Sequence, residues 1–240
     1  CKAGGNVITF IQKFKNFSFP ETIKYLSNYL GIEIQYEDSE KFNLNIKLYK
    51  ILNLANDLFV KNLKTNNYAI NYLKSRKINL ESIDKFQIGF CPNDEKVINY
   101  FSDFGISLED LKKTDLFINK EDNNFFGRFK ERITFPIFNY SNKIVAFGAR
   151  SLGASKIKYI NSQESSIFKK SEILFGLTQN YEVIKKNREL ILVEGYIDVI
   201  SMYQNNIKCA LSPMGTSLSA NQINKLWNLV DVPFVCFDGD

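Results

Sequence analysis

Apolar residues recur at helical spacing through the first half of the chain. Val7, Phe10, Ile11 and Phe14 predict a helix over 7–17. Ser18-Phe19-Pro20-Glu21 restarts a helix with a capping-box pattern and an early proline; Leu26 and Leu30 continue its apolar face and Gly31 stops it. Both are expected to be packing elements, forming a small N-terminal piece over 1–34. A polar stretch containing Tyr36-Glu37-Asp38-Ser39-Glu40-Lys41 reads as a linker over 35–45. Helical periodicity returns from Ile46 to Leu63 through Ile51, Leu52, Ala55, Leu58 and Phe59, and again from Tyr68 to Arg76. Short helices are expected near 80–85, 95–104 and 108–113. This helical region reads as scaffold, with its lysines on a solvated face.

The pattern changes at Phe125. Ile133–Phe138 and Ile144–Phe147 are rich in β-formers and are joined by Asn139-Tyr140-Ser141-Asn142-Lys143, which has turn chemistry, so a hairpin is expected. Helix signals over 177–186 lead into a strand, helix, strand, helix, strand series. Its strands are 190–193, 208–211 and 234–237, and its helices lie near 199–204 and 220–229. Such alternation implies a parallel sheet. Four apolar residues in a row, Leu190-Ile191-Leu192-Val193 and Phe234-Val235-Cys236-Phe237, predict two buried strands. The fold class is therefore α/β: an α+β subdomain over 46–187, followed from 188 to 240 by a parallel α/β sheet.

Composition changes this picture little. In 240 residues, 45% hydrophobic and 14% aromatic content suffices for a core. No stretch approaches the roughly 20 apolar residues of a membrane span, and Cys1-Lys2-Ala3-Gly4-Gly5 lacks a signal-peptide core, so a cytoplasmic protein without membrane contact is expected. With no histidine in the chain, the usual zinc spacings cannot be built from it alone, and Cys209 and Cys236 read as reduced core thiols. The net charge of +5 proves no nucleic-acid partner. More telling, three of the five arginines fall between Arg128 and Arg150, and arginine is the planar binder of phosphate.

The candidate chemistry sits at strand ends. Glu194-Gly195-Tyr196-Ile197-Asp198 and Asp238-Gly239-Asp240 each follow an apolar run, where open α/β sheets bind ligands. Glu194, Asp198, Asp238 and Asp240 offer hard oxygen donors suited to Mg2+, which points to phosphoryl chemistry. Asp198 could equally cap a helix, and Asp-Gly is ordinary turn vocabulary. Arg128, Lys130 and Arg132 would share one face of an extended chain, opposite Phe129 and Glu131. Arg150 adds a fourth cation, and the small residues Gly148 and Ala149 before it would let phosphate or backbone come close. Lys158, Tyr159 and Asn161, with Lys170, mix point charge, stacking face and amide in a way that suits a nucleotide. Met214-Gly215-Thr216-Ser217-Leu218 could serve a turn, a helix cap or a phosphate.

In this order the motifs resemble those of bacterial DNA primases of the DnaG type. The set comprises 128–137 (RFKERITFPI), 147–150 (FGAR), 158–162 (KYINS), 194–198 (EGYID), Gly215-Thr216 and 238–240 (DGD). Residues 1–8 are similar to the tail of that family's zinc-binding domain, and residues from about 46 to its RNA polymerase domain, ending within a Toprim fold. The resemblance implies template-directed synthesis of RNA primers from ribonucleoside triphosphates on single-stranded DNA, by a monomer working with the replicative helicase. It further implies Mg2+ or Mn2+ on Glu194, Asp198, Asp238 and Asp240, with Glu194, Asp238 and Asp240 catalytic. Arg128, Lys130, Arg132, Arg150, Lys158, Tyr159, Asn161 and Lys170 would lie nearest nucleotide or template, and Cys1 would be the one Zn2+ ligand present.

Lys130 stands where the family commonly has arginine, and Ala149 where it often has glycine. The third acidic segment of the Toprim fold and the helicase-binding domain are missing, so a fragment of a longer protein is expected. The acidic motifs alone would also serve a Toprim nuclease or topoisomerase, or persist in a DNA-binding module with a degenerate site.

Overall fold

The computed structural model describes residues 5–32, 39–119, 125–153, 156–213 and 218–239. Helices α1 (Val7–Lys15) and α2 (Phe19–Leu30) begin and end where their caps dictate. The Asn6 side chain accepts the Thr9 N–H, Ser18 and Glu21 form the capping box, and Gly31 closes α2 in the left-handed region. Their expected packing role is not what the described residues show: Val7, Phe10, Phe14, Tyr29 and Leu30 are each more than half exposed. Helical spacing reveals that a stripe exists but not what covers it. A Glu21–Lys143 ion pair at 3.0 Å ties α2 to the rest of the chain.

Helix α3 (Ser39–Lys64) starts before Ile46, inside the stretch expected to be a linker. Part of that polar stretch is helical because glutamate and lysine are good helix formers and Glu40 in the first turn suits the helix dipole. The expected core positions Ile51, Leu52, Ala55, Leu58 and Phe59 are all buried. Helices α4 (Asn67–Ser75) and α5 (Leu80–Lys85) follow, each opened by an asparagine cap. Then come β1 (Gly89–Phe90), α6 (Asp94–Ser102), α7 (Leu108–Lys113) and the short antiparallel pair β2 (Phe117–Asn119) and β3 (Phe125–Gly127).

The predicted hairpin is present as β4 (Arg132–Phe138) and β5 (Ile144–Ser151), joined by a turn in which the Asn139 carboxamide oxygen accepts the N–H groups of Ser141 and Lys143. With β1 and β6 (Tyr159–Asn161) it forms a sheet in the order β1-β4-β5-β6. Helix α3 covers this sheet, its Phe59 meeting Phe147 edge-on at 5.3 Å. Each such buried ring is worth roughly 1.5–3 kcal/mol in transfer from water.

Gly89 marks the closest approach. A Cβ there would lie 2.6 Å from Phe59 Cβ and 2.7 Å from its carbonyl carbon, which is helix backbone that cannot step aside. Gly89→Ala should therefore cost about 1–3 kcal/mol. Gly153→Ala, which would meet nothing within 4 Å, should be near neutral, and thermal melting of the two variants checks the contrast.

A second sheet takes the order β10-β8-β9-β7, built from β7 (Leu174–Phe175), β8 (Ile191–Leu192), β9 (Ala210–Pro213) and β10 (Phe234–Val235). Helices α8 (Leu177–Asn187), α9 (Tyr196–Gln204) and α10 (Ala220–Leu229) connect these strands. Strands β10, β8 and β9 run parallel as predicted, while β7, which no sequence signal announced, adds an antiparallel edge. One expectation fails: β10 is not buried. Phe234 is 64% and Val235 59% exposed, and the Cys236 thiol is exposed rather than in a core, whereas Cys209 is buried. Among the described residues no helix is long and apolar enough to cross a membrane.

Candidate functional site

Parallel neighbours β8 and β10 deliver Glu194 and Asp238 to the same end of the second sheet. The Asp238 N–H donates to Glu194 Oε1 at 3.0 Å, and both residues are exposed. Behind them the Ser212 hydroxyl donates to the Glu194 carbonyl at 2.6 Å, fixing the backbone at the strand end. Asp198 is placed differently. It lies in the first turn of α9, where its Oδ2 accepts the Gly195 N–H at 2.9 Å, the contact of a helix cap. Of the three described acids, then, Glu194 and Asp238 meet at adjacent strand ends while Asp198 is turned to its helix cap. Asp240 lies outside the described residues, and among the described ones no three metal-capable side chains come together. Two exposed acids at neighbouring strand ends, Glu194 and Asp238, nevertheless fit magnesium, which takes one or two carboxylates and keeps water.

Between the acidic motif and the first sheet stands Tyr196, whose role no sequence argument foresaw. Its ring is 7% exposed, stacked on Phe135 at 5.4 Å and edge-on to Phe175 at 4.6 Å. Its hydroxyl donates to Asn161 Oδ1 at 2.5 Å, and burial pushes the phenol pKa well up. Gly148, the register partner of Asn161 across β5 and β6, makes this possible: a Cβ at 148 would sit 2.5 Å from the Tyr196 ring. The space left by Gly148 is thus filled by the Tyr196 ring.

The basic residues do not form a row. Residues 128–131 turn, and Glu131 adopts a left-handed backbone (φ 53°), so period two never applies. Arg128 pairs with Asp115 at 2.5 Å, both side chains being largely buried, while Lys130 faces Asp94 at 3.8 Å. Arg132, at the start of β4, donates to the carbonyls of Ile157 and Lys158. Arg128, Asp115, Lys112 and Gln163 line a cleft of about 370 Å³. Burial raises the Asp115 pKa; the Gln163 N–H at 2.7 Å and the charges of Arg128 and Lys170 only partly offset it. Lys170 is anchored through its backbone, its N–H to Glu164 and its carbonyl to Gln222.

Arg150 lies 4.6 Å over the Tyr159 ring and donates to its hydroxyl. It also lies 5.5 Å from the Tyr72 ring, which Arg76 approaches at 5.6 Å. Helix α4 is thus part of the basic face and not mere scaffold. The available signal was Tyr72 and Arg76 at i, i+4, one helical turn apart. Cys1 and 214–217, which include Gly215 and Thr216, lie outside the described residues.

Comparison with known proteins adds identity to this geometry. Residues 58–181 match the DNA primase catalytic core, N-terminal domain; residues 191–240 match a Toprim-like domain and residues 1–42 a CHC2 zinc finger, both families of metal-binding domains. The chain is 38% identical to the DNA primase of Rickettsia felis and 35% to that of Clostridium acetobutylicum, in each case over its whole length but only 40% and 41% of the relative. It thus spans about two-fifths of those proteins. Among solved structures, the Aquifex aeolicus primase (zinc-binding and RNA polymerase domains) superposes with a TM-score of 0.78 at 31% identity, over 99% of this chain and 58% of that one. A DnaG primase catalytic domain bound to single-stranded DNA gives 0.75 at 31%, over 82% and 65%. Carried by a family match that covers more than half of its residues, the chain belongs to the DnaG-type DNA primases.

Proposed function

We propose that the protein synthesises RNA primers on single-stranded DNA from ribonucleoside triphosphates. One observation carries this reading: the strand end bearing Glu194 and Asp238 is fastened, through Tyr196 and Asn161, to the strand bearing Tyr159 and paired with Arg150. Carboxylates able to hold divalent cations therefore stand beside a cationic, aromatic face. Relatives called DNA primase and a neighbour bound to single-stranded DNA support the same assignment.

Glu194 and Asp238 would hold magnesium, joined by Asp240 and by the second carboxylate oxygen of Asp198. Bound magnesium supplies charge stabilisation of the attacking and leaving oxygens in nucleotidyl transfer. The chain's own residues bind and orient. Arg150 and Tyr159 present a guanidinium and a ring to base or phosphate, with Tyr72 and Arg76 extending that face. Arg132 pairs with Ser151 and so lies on the other face of the sheet from Arg150; Lys158, Lys130, Arg132, Arg128 and Lys170 would add positive charge for phosphate around the Arg150 face, not on it. Most of these contacts would be sequence-independent and weaken with salt. Cys1 would ligate zinc within the CHC2 match, and a cytoplasmic monomer working with the replicative helicase completes the reading.

The test is to incubate the full-length protein with ribonucleotides, Mg2+ and a single-stranded template. Short RNA should accumulate with the DNA intact. Cleavage of the DNA without RNA would assign the acidic site to a nuclease or topoisomerase instead.

A further inference from the structure

Resting on that reading, we infer that Gln222 of α10 is a positioning residue for Lys170: it holds the backbone of the 170–173 turn so that the Lys170 ammonium meets a phosphate at the cleft lined by Arg128. A single turn of 3₁₀ helix, Lys170–Glu172, has too few internal hydrogen bonds to hold itself in place. Its carbonyls are held from outside. Gln222 is 2% exposed, and its amide donates to the Lys170 carbonyl at 3.0 Å and to the Ile173 carbonyl at 2.7 Å. The Ser219 hydroxyl donates to the Ser171 carbonyl at 2.5 Å, and the Lys225 ammonium to the Glu172 carbonyl at 2.6 Å. Consecutive carbonyls from 170 to 173 are therefore taken by side chains spaced three apart along α10 and its cap.

The partners of the Gln222 amide leave it one orientation. Both Nε2 hydrogens go to carbonyls, which cannot donate, while Oε1 accepts the Ser219 N–H at 2.9 Å. Turned over, the amide would set its oxygen against two carbonyl oxygens. From the other side, the Lys170 N–H donates to Glu164 Oε1 at 3.0 Å. Glu164 follows Gln163, which lines the cleft and whose N–H reaches Asp115 Oδ2 at 2.7 Å. Both backbone groups of Lys170 are thus fixed, one from the wall of the cleft and one from α10. Its ammonium forms no ion pair among the described residues, while its charge is close enough to Asp115 to oppose the upward shift of that carboxyl. Helix α10 runs on into β10 and Asp238. One element would therefore hold a phosphate-binding cation at its start and lead to a metal ligand at its end.

The experiment measures primer synthesis and equilibrium binding of two phosphate-bearing probes, Mg2+-ATP and a single-stranded oligothymidylate, by the full-length protein. Its variants are Gln222→Met, Lys225→Met and Lys170→Gln, with Lys170→Gln also combined with each of the others. Gln222→Met should raise the Kd of the probe that Lys170 contacts about fivefold, the scale of one hydrogen bond, with KM following and kcat little changed. Lys170→Gln should raise the same Kd at least as much, and in that background Gln222→Met should add nothing. A change confined to ATP assigns the phosphate to the nucleotide, and one confined to the oligonucleotide assigns it to the template. Because Gln222→Met strips the donor from two carbonyls at once, Lys225→Met is the milder variant: the Tyr140 hydroxyl still donates to the Glu172 carbonyl at 3.3 Å. It should show the same pattern on a smaller scale, and the same dependence on Lys170. Substitutions that lower the melting temperature but leave both Kd values unmoved would make Gln222 merely structural and overturn the inference. So would a loss of affinity that is equal with and without Lys170, or a Lys170→Gln variant that binds both probes as wild type does. Wild-type protein that binds either probe but makes no RNA overturns the proposed activity alone, the Kd comparison still deciding the role of Gln222. Wild-type protein that binds neither overturns both.

Discussion

Glu194→Gln should abolish primer synthesis while leaving single-stranded DNA binding and thermal stability intact. The substitution is nearly isosteric, and its side-chain oxygen can still accept the Asp238 N–H that Glu194 Oε1 accepts. Glu194 is exposed, so no buried charge is lost and no cavity forms. What disappears is one negative charge at the end of β8, beside Asp238, where a divalent cation would be held. The expected loss is about 10²–10³-fold in kcat, the scale seen when one preorganised electrostatic group is removed from a transition state. Binding of DNA should persist because the proposed function assigns it to Arg150, Tyr159 and the neighbouring cations and not to Glu194. Synthesis within a few-fold of wild type would remove Glu194 from the site, and a large fall in melting temperature would show that the loss was one of folding.

Arg128→Met should be the most damaging of the charge substitutions for stability. Arg128 and Asp115 are paired at 2.5 Å, each side chain only 14% exposed. Removing the cation leaves a carboxylate in a site that already raises its pKa by burial. Breaking a buried pair by deleting one partner costs about 3–5 kcal/mol, or a melting temperature lower by about 10 °C in a chain of this size.

The pH dependence has a definite sign. A carboxyl whose folded pKa lies above its unfolded one favours the folded state when protonated, and that contribution is lost as pH rises through the folded value. Without Arg128 the folded pKa of Asp115 rises further. The gap in melting temperature between variant and wild type should therefore be widest near neutrality and shrink as pH falls towards the ordinary carboxylate range. Arg128→Met combined with Asp115→Asn should recover much of the loss, because the pair is then replaced by neutral groups. A gap that is independent of pH would show that packing of the arginine stem, and not the orphaned carboxylate, is what matters.

Local elements were legible because their signals are local. The capping box at Ser18, the hairpin turn at Asn139 and the alternating strands and helices after 190 each depend on residues within a few positions of one another. So did the placement of Glu194 and Asp238 at strand ends, since that follows from strand order in any parallel sheet. The errors share a different cause. The run at 234–237 is apolar yet exposed in this structure, because burial is set by what packs against a strand and not by the run itself. The cations at 128, 130 and 132 failed to align because one left-handed residue, Glu131, breaks the alternation. Nothing local in helix α4 announces its contact with the basic residues, because Tyr72 joins Arg150 only across a separation of 78 positions.

By itself, then, the sequence determined which segments become helices and strands, which acids end up at strand termini and which family the motifs resemble, since all of these rest on periodicity, caps and residue order. Only the tertiary structure decided that Asp198 caps α9, that Gly148 makes room for Tyr196, and that the phenol reaches Asn161 from the start of α9. Those contacts depend on packing distances of a few ångströms between residues far apart in the chain. No linear pattern encodes them, because close packing selects among many arrangements that the same hydrophobic pattern permits.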